Sequence, residues 1–197
     1  MSSARPSQPR PAEPDGFEWR RGETSPVQSA DPVAAAAARR FRDVLGRFAS
    51  GVTVVTGVSR GEPVGMTCQS FSSVSLDPPL VLFVPATTSR AWPRMREAGT
   101  FCVNVLAAGQ EALSERMASR GTDKFSGVDW RPSAATGSPV LGGAIAWVDC
   151  RIHAVHEAGD HHVVLGRVLD LGVPGPGDAG ADAEPLLFFR GDYIPPS

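Results

Sequence analysis

Apolar and polar positions change rhythm several times along the chain. Phe41, Val44, Leu45 and Phe48 recur at three- and four-residue spacing, the period of an amphipathic helix. Asp31 and Pro32 supply an N-cap residue followed by proline at the first helical position, so the helix is predicted to start there and to end at Gly51. From Val52 to Val58 the pattern turns β-branched and almost continuously apolar, which predicts a buried strand. Ser59 to Pro63 reads as a turn. Strands are predicted over Pro63 to Ser70 and Phe71 to Leu76, a turn at Asp77 to Pro79, and a core strand over Leu80 to Val84. Ser89 opens a short helix containing Arg90, Trp92 and Met95, with Pro93 in its tolerant first turn. Thr100 to Leu106 is a strand, and Gln110 to Ser119 a helix with Leu113 and Met117 four apart. Residues 121–139 are a connection. Leu141 to His156 reads as one long strand, or two with a bend, and His161 to Leu171 as its hairpin partner. A Pro/Gly/Asp/Ala-rich connection over 172–184 leads to a final strand, Pro185 to Arg190.

The order is one helix, about seven or eight strands and two short inserted helices, which is not the alternation of a βαβ sheet. A mainly β protein with flanking helices, a closed or split antiparallel barrel, fits better. Residues 1–30 are rich in Pro, Ser, Arg and Glu and cannot bury enough apolar surface to offset chain entropy, so they are expected to be a disordered tail before one domain over 31–197. The net charge of −2 gives no case for nucleic acid or an anionic membrane surface. No run approaches the roughly 20 apolar residues of a membrane span, and no hydrophobic signal core stands at the front, so a cytoplasmic location is expected. Cys68, Cys102 and Cys150 are odd in number and form no CxxC, which points to reduced, buried thiols.

The chemistry concentrates in Gly65 to Pro79. Thr67, Gln69, Ser70, Ser72, Ser73 and Ser75 crowd it with neutral donors, and it carries neither Lys nor Arg. Such a set suits a planar polar ligand and its phosphate; the plainer reading is a Ser/Thr-rich strand on a solvated sheet face. Two motifs are decoys. Gly57 to Gly61 matches G-x-S-x-G, but the nucleophile elbow needs a helix after the serine and here Glu62 and Pro63 begin another strand. Gly175 to Gly180 matches G-x-G-x-x-G, but acidic residues follow where a helix N-terminus should hold a pyrophosphate. His153 and His156 point to opposite faces of a strand, as do His161 and His162, so no metal site is expected.

As an ordered set, four segments resemble the short-chain flavin reductases, the FMN-binding split-barrel family that serves two-component monooxygenases. They are Phe41 to Thr56, Gly65 to Pro79, Gly159 to Gly166, and Leu186 to Tyr193, within a similarity covering about residues 39–194. Reductase components of steroid-ring, phenol and nitrilotriacetate monooxygenases carry similar stretches. The resemblance implies a Greek-key split barrel. It places flavin (FMN or FAD) on Pro63, Val64, Gly65, Met66, Thr67, Gln69 and Ser70, then on Val84, Pro85, Ala86, Arg90, Ala91, Arg116 and Met117. Thr67, Gln69 and Ser70 would supply hydrogen bonds, Gly65 close backbone approach, and Arg90 or Arg116 a partner for phosphate. The alternative for the two arginines is solvated helix faces.

The segment Gly159, Asp160, His161 resembles the family's pyridine-nucleotide motif and would set His161 beside the nicotinamide of NADH or NADPH, oriented by Asp160. Phe188, Phe189, Arg190 and Gly191 resemble a second nicotinamide-nucleotide stretch. The implied reaction is hydride transfer from NAD(P)H to flavin, with the protein supplying proximity. Reduced flavin would then leave for a separate monooxygenase, and the resemblance also implies a homodimer. A non-catalytic flavin-binding or electron-transfer protein of the same fold stays open, as does a pyridoxamine-phosphate-oxidase-like enzyme.

Overall fold

The structure, a computed structural model, describes residues 32–121 and 123–195. The expected tail over 1–30 and the N-cap Asp31 lie outside the described residues. Helix α1 (Pro32–Leu45) begins at the expected proline. It ends six residues before Gly51, which instead belongs to the two-residue strand β1 (Ser50–Gly51). The apolar spacing ran on because the chain keeps turning past the helix. Arg47 N donates to Val44 O at 3.2 Å and Phe48 N to Leu45 O at 3.0 Å, so the three-residue period survives without the α-helical ladder. Among the described side chains of α1 only Ala38 is buried; Val33, Val44 and Leu45, with Phe48 just beyond, remain exposed.

Strands β2 (Thr53–Ser59) and β3 (Glu62–Cys68) form a hairpin across Arg60 and Gly61, whose φ values of 55° and 82° match the right-handed strand twist. Ser59 therefore closes a strand and leads into a hairpin, which removes the nucleophile-elbow geometry. Strand β4 (Ser72–Leu76) pairs with β5 (Pro79–Phe83). Helix α2 (Ala91–Ala98) precedes β6 (Thr100–Val105), and α3 (Glu111–Ala118) follows it. The connection expected over 121–139 hides two short strands, β7 (Trp130–Pro132) and β8 (Pro139–Leu141), which pair with each other. The long strand starts later than the pattern suggested: β9 (Ala146–Ala158) pairs with β10 (His161–Gly172) through two register shifts. Gly175 to Gly180 lies in turns. Strands β11 (Leu187–Phe189) and β12 (Asp192–Ile194) end the described chain; β12 was not expected.

The main sheet has the order β3-β2-β6-β9-β10-β5-β4, antiparallel at every pairing. Its two ends meet over one core. Val64 and Cys68 of β3 share a buried cluster with Val81 and Phe83 of β5, together with Val55, Phe101, Val103, Cys150 and Val164. A flat sheet would hold its outer strands far apart, so the sheet curls around this core. No strand ladder closes it. Instead Ser70 Oγ accepts from Val84 N at 2.9 Å and bridges the seam. This is the mainly β split barrel that the resemblance implied. Trp92 and Met95 of α2 plug the core from one side.

A second cluster lies outside the barrel, where Val52, Val54, Leu106, Met117, Leu141 and Leu186 pack beneath α3 and the β11–β12 hairpin. Between the layers sits Asn104. Its Nδ2 donates to Val54 O, Thr56 Oγ1 and Pro139 O, each at 3.2 Å, and its Oδ1 accepts from Leu141 N at 2.8 Å. Every polar atom of this fully buried side chain is satisfied, as burial requires.

Candidate functional site

The side chains of β3 alternate as a strand must. Val64, Met66 and Cys68 face the barrel core. Gly65 and Thr67 face α3. A Cβ on Gly65 would stand 3.0 Å from Met117 Sδ and 3.1 Å from Phe125 Cζ, so the space this glycine opens is filled by protein. Thr67 Oγ1 donates to Ser114 O at 2.5 Å, and Tyr193 OH donates to Ser114 Oγ at 2.9 Å. Lys124 reaches in from the connection after α3, its Nζ donating to Met117 O at 2.7 Å and Gly65 O at 3.3 Å. Burial lowers the pKa of Lys124.

Beyond Cys68 the chain becomes exposed at Gln69 and Ser70. Ser70 also donates to Val84 O at 3.3 Å, tying the hydroxyl-rich stretch to the segment after β5. That segment, Val84 to Arg90, runs against the β9–β10 turn. Ala86 bridges to His161, His162 N donates to Pro85 O at 2.9 Å, and Thr87 donates to Asp160 O through both N (2.9 Å) and Oγ1 (3.0 Å). Ser89 Oγ accepts from Trp92 N at 3.2 Å and starts α2. The structure thus brings Met66, Gln69, Ser70, Val84, Pro85, Ala86, Arg90 and Ala91 of the expected flavin set into one neighbourhood with His161.

His161 Nδ1 lies 2.7 Å from Asp160 Oδ1, with side chains 42% and 58% exposed. The ring is held from behind and reachable from solvent. Its neighbour His162 turns inward toward Trp92, ring centroids 6.0 Å apart, and leaves a buried Nδ1 without a partner. Two of the expected cations, Arg90 and Arg116, stand at the start of α2 and on α3. Arg90 donates to Arg120 O at 3.1 Å and Arg116 to Ser126 O at 2.8 Å; both side chains are exposed, and Arg120 and Lys124 stand beside them.

The remaining expected residues are placed differently. Pro63 sits half-buried at the start of the β2–β3 ladder, opposite Val58. Val64 and Met117 are buried in the two cores. Phe188 to Gly191 lie in a separate sheet, β1-β11-β12. Phe188 packs edge-on to Tyr193 at 5.3 Å, Arg190 covers the Phe189 ring at 5.0 Å, and Arg190 and Gly191 form the hairpin turn with φ of 55° and 89°. Their link to β3 is the chain Tyr193, Ser114, Thr67. Sequence reasoning missed Thr87, Ser89, Ser114, Lys124 and Tyr193. Tyr193, the single tyrosine, and Lys124, the single lysine, carried a signal in composition.

The three thiols are all buried. Burial, with Asp149 adding to it, pushes the Cys150 thiol up to about 12 and raises Cys102 as well. Cys68 is buried with its Sγ 3.0 Å from Ser70 Oγ.

Among the described residues the Gln69 amide has no hydrogen-bond partner, the Ser70, Thr87 and Ser89 hydroxyls give their protons to Val84 O, Asp160 O and Met66 Sδ and keep lone pairs, and with exposed arginines they make a polar surface that suits a planar, phosphate-bearing ligand. Residues 45–196 match the flavin reductase like domain. This chain belongs to that family. A flavin-dependent monooxygenase reductase subunit of Rhodococcus jostii is 50% identical over 155 residues, covering 79% of this chain and 76% of that one. An NADH-dependent FAD reductase of Streptomyces globisporus is 43% identical, covering 73% and 79%. Among solved structures, a nitrilotriacetate monooxygenase component B from Mycobacterium thermoresistibile aligns with TM-score 0.75 at 49% identity, covering 81% and 87%. The Streptomyces globisporus NADH:FAD oxidoreductase with NAD and FAD fragments aligns with TM-score 0.74 at 38% identity, covering 86% and 97%. Membership makes the chain an oxidoreductase of the flavin reductase class. Among the described residues no helix is long and apolar enough to cross a membrane.

Proposed function

We propose that this flavin reductase oxidises NADH or NADPH, reduces FMN or FAD, and releases reduced flavin to a separate flavin-dependent monooxygenase. The observation that carries this reading is the docking of Val84 to Thr87 onto Asp160 to His162. It sets a solvent-reachable, carboxylate-held histidine beside the hydroxyl-rich stretch and the exposed arginines. Bound flavin supplies a ring nitrogen that accepts hydride from the dihydronicotinamide.

The rest is positioning. Asp160 fixes the tautomer and tilt of His161 through Nδ1 and leaves the other ring nitrogen for the nucleotide. Thr87 locks the Asp160 backbone, so the histidine cannot drift from the flavin-side segment. Gln69 and Ser70 offer hydrogen bonds to the flavin, and Arg90 and Arg116 counter its phosphate. No side chain need move a proton for hydride transfer, so catalysis is mostly proximity. Release of the product argues for modest affinity, a micromolar Kd of about −8 kcal/mol. A homodimer in the cytoplasm completes the proposal, in line with the family.

The test is anaerobic oxidation of NADH and of NADPH by the purified protein, with and without added FMN or FAD. Turnover that rises and saturates with added flavin is expected, and the preferred pair follows from the same traces. Absence of oxidation with every flavin and nucleotide combination would overturn the reading.

A further inference from the structure

Of the 19 basic residues in the chain, Lys124 alone is a lysine. It is also the one cation whose nitrogen bridges β3 to a helix. Its Nζ spans Met117 O, in the last turn of α3, and Gly65 O on β3. The next residue, Phe125, packs its ring over Gly65 beside Met117 Sδ. Asp123 Oδ1 accepts from Ser126 N at 3.2 Å and Arg116 donates to Ser126 O, so the whole 123–126 turn is fastened around the ammonium.

We propose that Lys124 is a positioning residue of the flavin site, a clamp that holds the turn closed over β3 and so fixes the end of the strand that presents Gln69 and Ser70 to the ligand. The proposal rests on the flavin reductase reading and goes beyond it by naming what sets the strand. A compact ammonium is required here. Two carbonyl oxygens converge on one nitrogen, whereas a guanidinium spreads its donors along a planar fork and places a carbon where that nitrogen stands.

The ammonium sits in a partly desolvated place. Burial lowers its pKa, so the folded protein holds this proton less tightly than the unfolded chain. The charged form therefore opposes folding at neutral pH. The cost disappears only as pH rises through the interval between the folded and unfolded values.

Because Lys124 is the single lysine, an amine-selective acetylating reagent addresses one side chain in the wild-type protein, and peptide mapping separates it from any terminal amine. Saturating FMN or FAD is expected to slow acetylation of Lys124 by about fivefold or more, because the clamp closes when the strand is occupied. In parallel, flavin titration by fluorescence quenching should show Lys124→Met binding about tenfold more weakly, with the melting temperature within about 3 °C of wild type. Lys124→Arg, which keeps the charge, should not restore affinity. Wild-type affinity in Lys124→Met, or acetylation unslowed by flavin that demonstrably binds, overturns the proposal and leaves the reductase reading intact. Should Lys124→Met fail to fold, the acetylation rates on the wild-type protein decide alone. A wild-type protein that binds neither flavin fails the reductase reading itself, and the proposal falls with it.

Discussion

At the residue scale, the Asp160–His161 pair tests the nicotinamide assignment. Both side chains are about half exposed, so the hydrogen bond between them contributes little, under about 1 kcal/mol. Asp160→Asn should therefore raise KM for the nicotinamide donor by only about threefold, since the amide still accepts at Nδ1–H. His161→Ala removes the contact and should lower kcat/KM for that donor by about tenfold or more, with flavin affinity unchanged. Steady-state kinetics with each substrate varied in turn separates the two effects; a loss confined to flavin KM would reassign His161. What the sequence made legible at this scale was residue type. The donors Gln69 and Ser70 and the cations Arg90 and Arg116 stand exposed where a ligand could use them. Partnership was not legible: Gly65 looked like room for a ligand, yet Met117 and Phe125, more than fifty positions away, fill that room. Thr67 is committed to Ser114 for the same long-range reason. Lys124 lies in a connection that matches no motif.

At the element scale, Asn104 shows how a short strand is held without a long ladder. Strand β8 has three residues, too few to stand alone; Asn104 holds both its Pro139 and Leu141 backbones, and Thr56 Oγ1 also donates to Pro139 O at 2.6 Å. Asn104→Ala leaves Pro139 O short of a donor and Leu141 N without an acceptor, and should destabilise the protein by about 2–4 kcal/mol. Thermal unfolding would show a fall of roughly 5–15 °C; a shift under 2 °C would mean that water replaces the amide at no cost. Period reading found the long strands β2, β9 and β10 because their patterns run for many residues. It missed β7, β8 and β12, which are three residues each, two of them containing proline. It overran α1 because Arg47 and Phe48 keep turning after the helix has stopped.

At the scale of the molecule, the sheet order could not be read from local pattern, since β2 pairs with β6 and β6 with β9 across intervening helices and loops. Only the ordered likeness of four segments carried it. The curl that joins β3 to β5 through Ser70 likewise depends on a contact between residues fourteen apart with a hairpin between them. The apolar side chains that gave α1 its helical spacing are exposed.

Ser50 and Gly51 pair with Phe188 and Leu187, and Arg190 N donates to Gly46 O at 2.8 Å. The opening and closing segments of the barrel are thus neighbours. A gene that joins Pro195 to Gly46 through a short glycine-serine linker, and opens the chain in the exposed turn between Pro176 and Ala179, rearranges connectivity without cutting a strand. Such a permutant lacks helix α1 (Pro32–Leu45), so its circular dichroism should lose helical signal while keeping the strand signal, and it should bind flavin within about threefold of the parent. The order in which the strands leave the ribosome would then be incidental to the shape they reach.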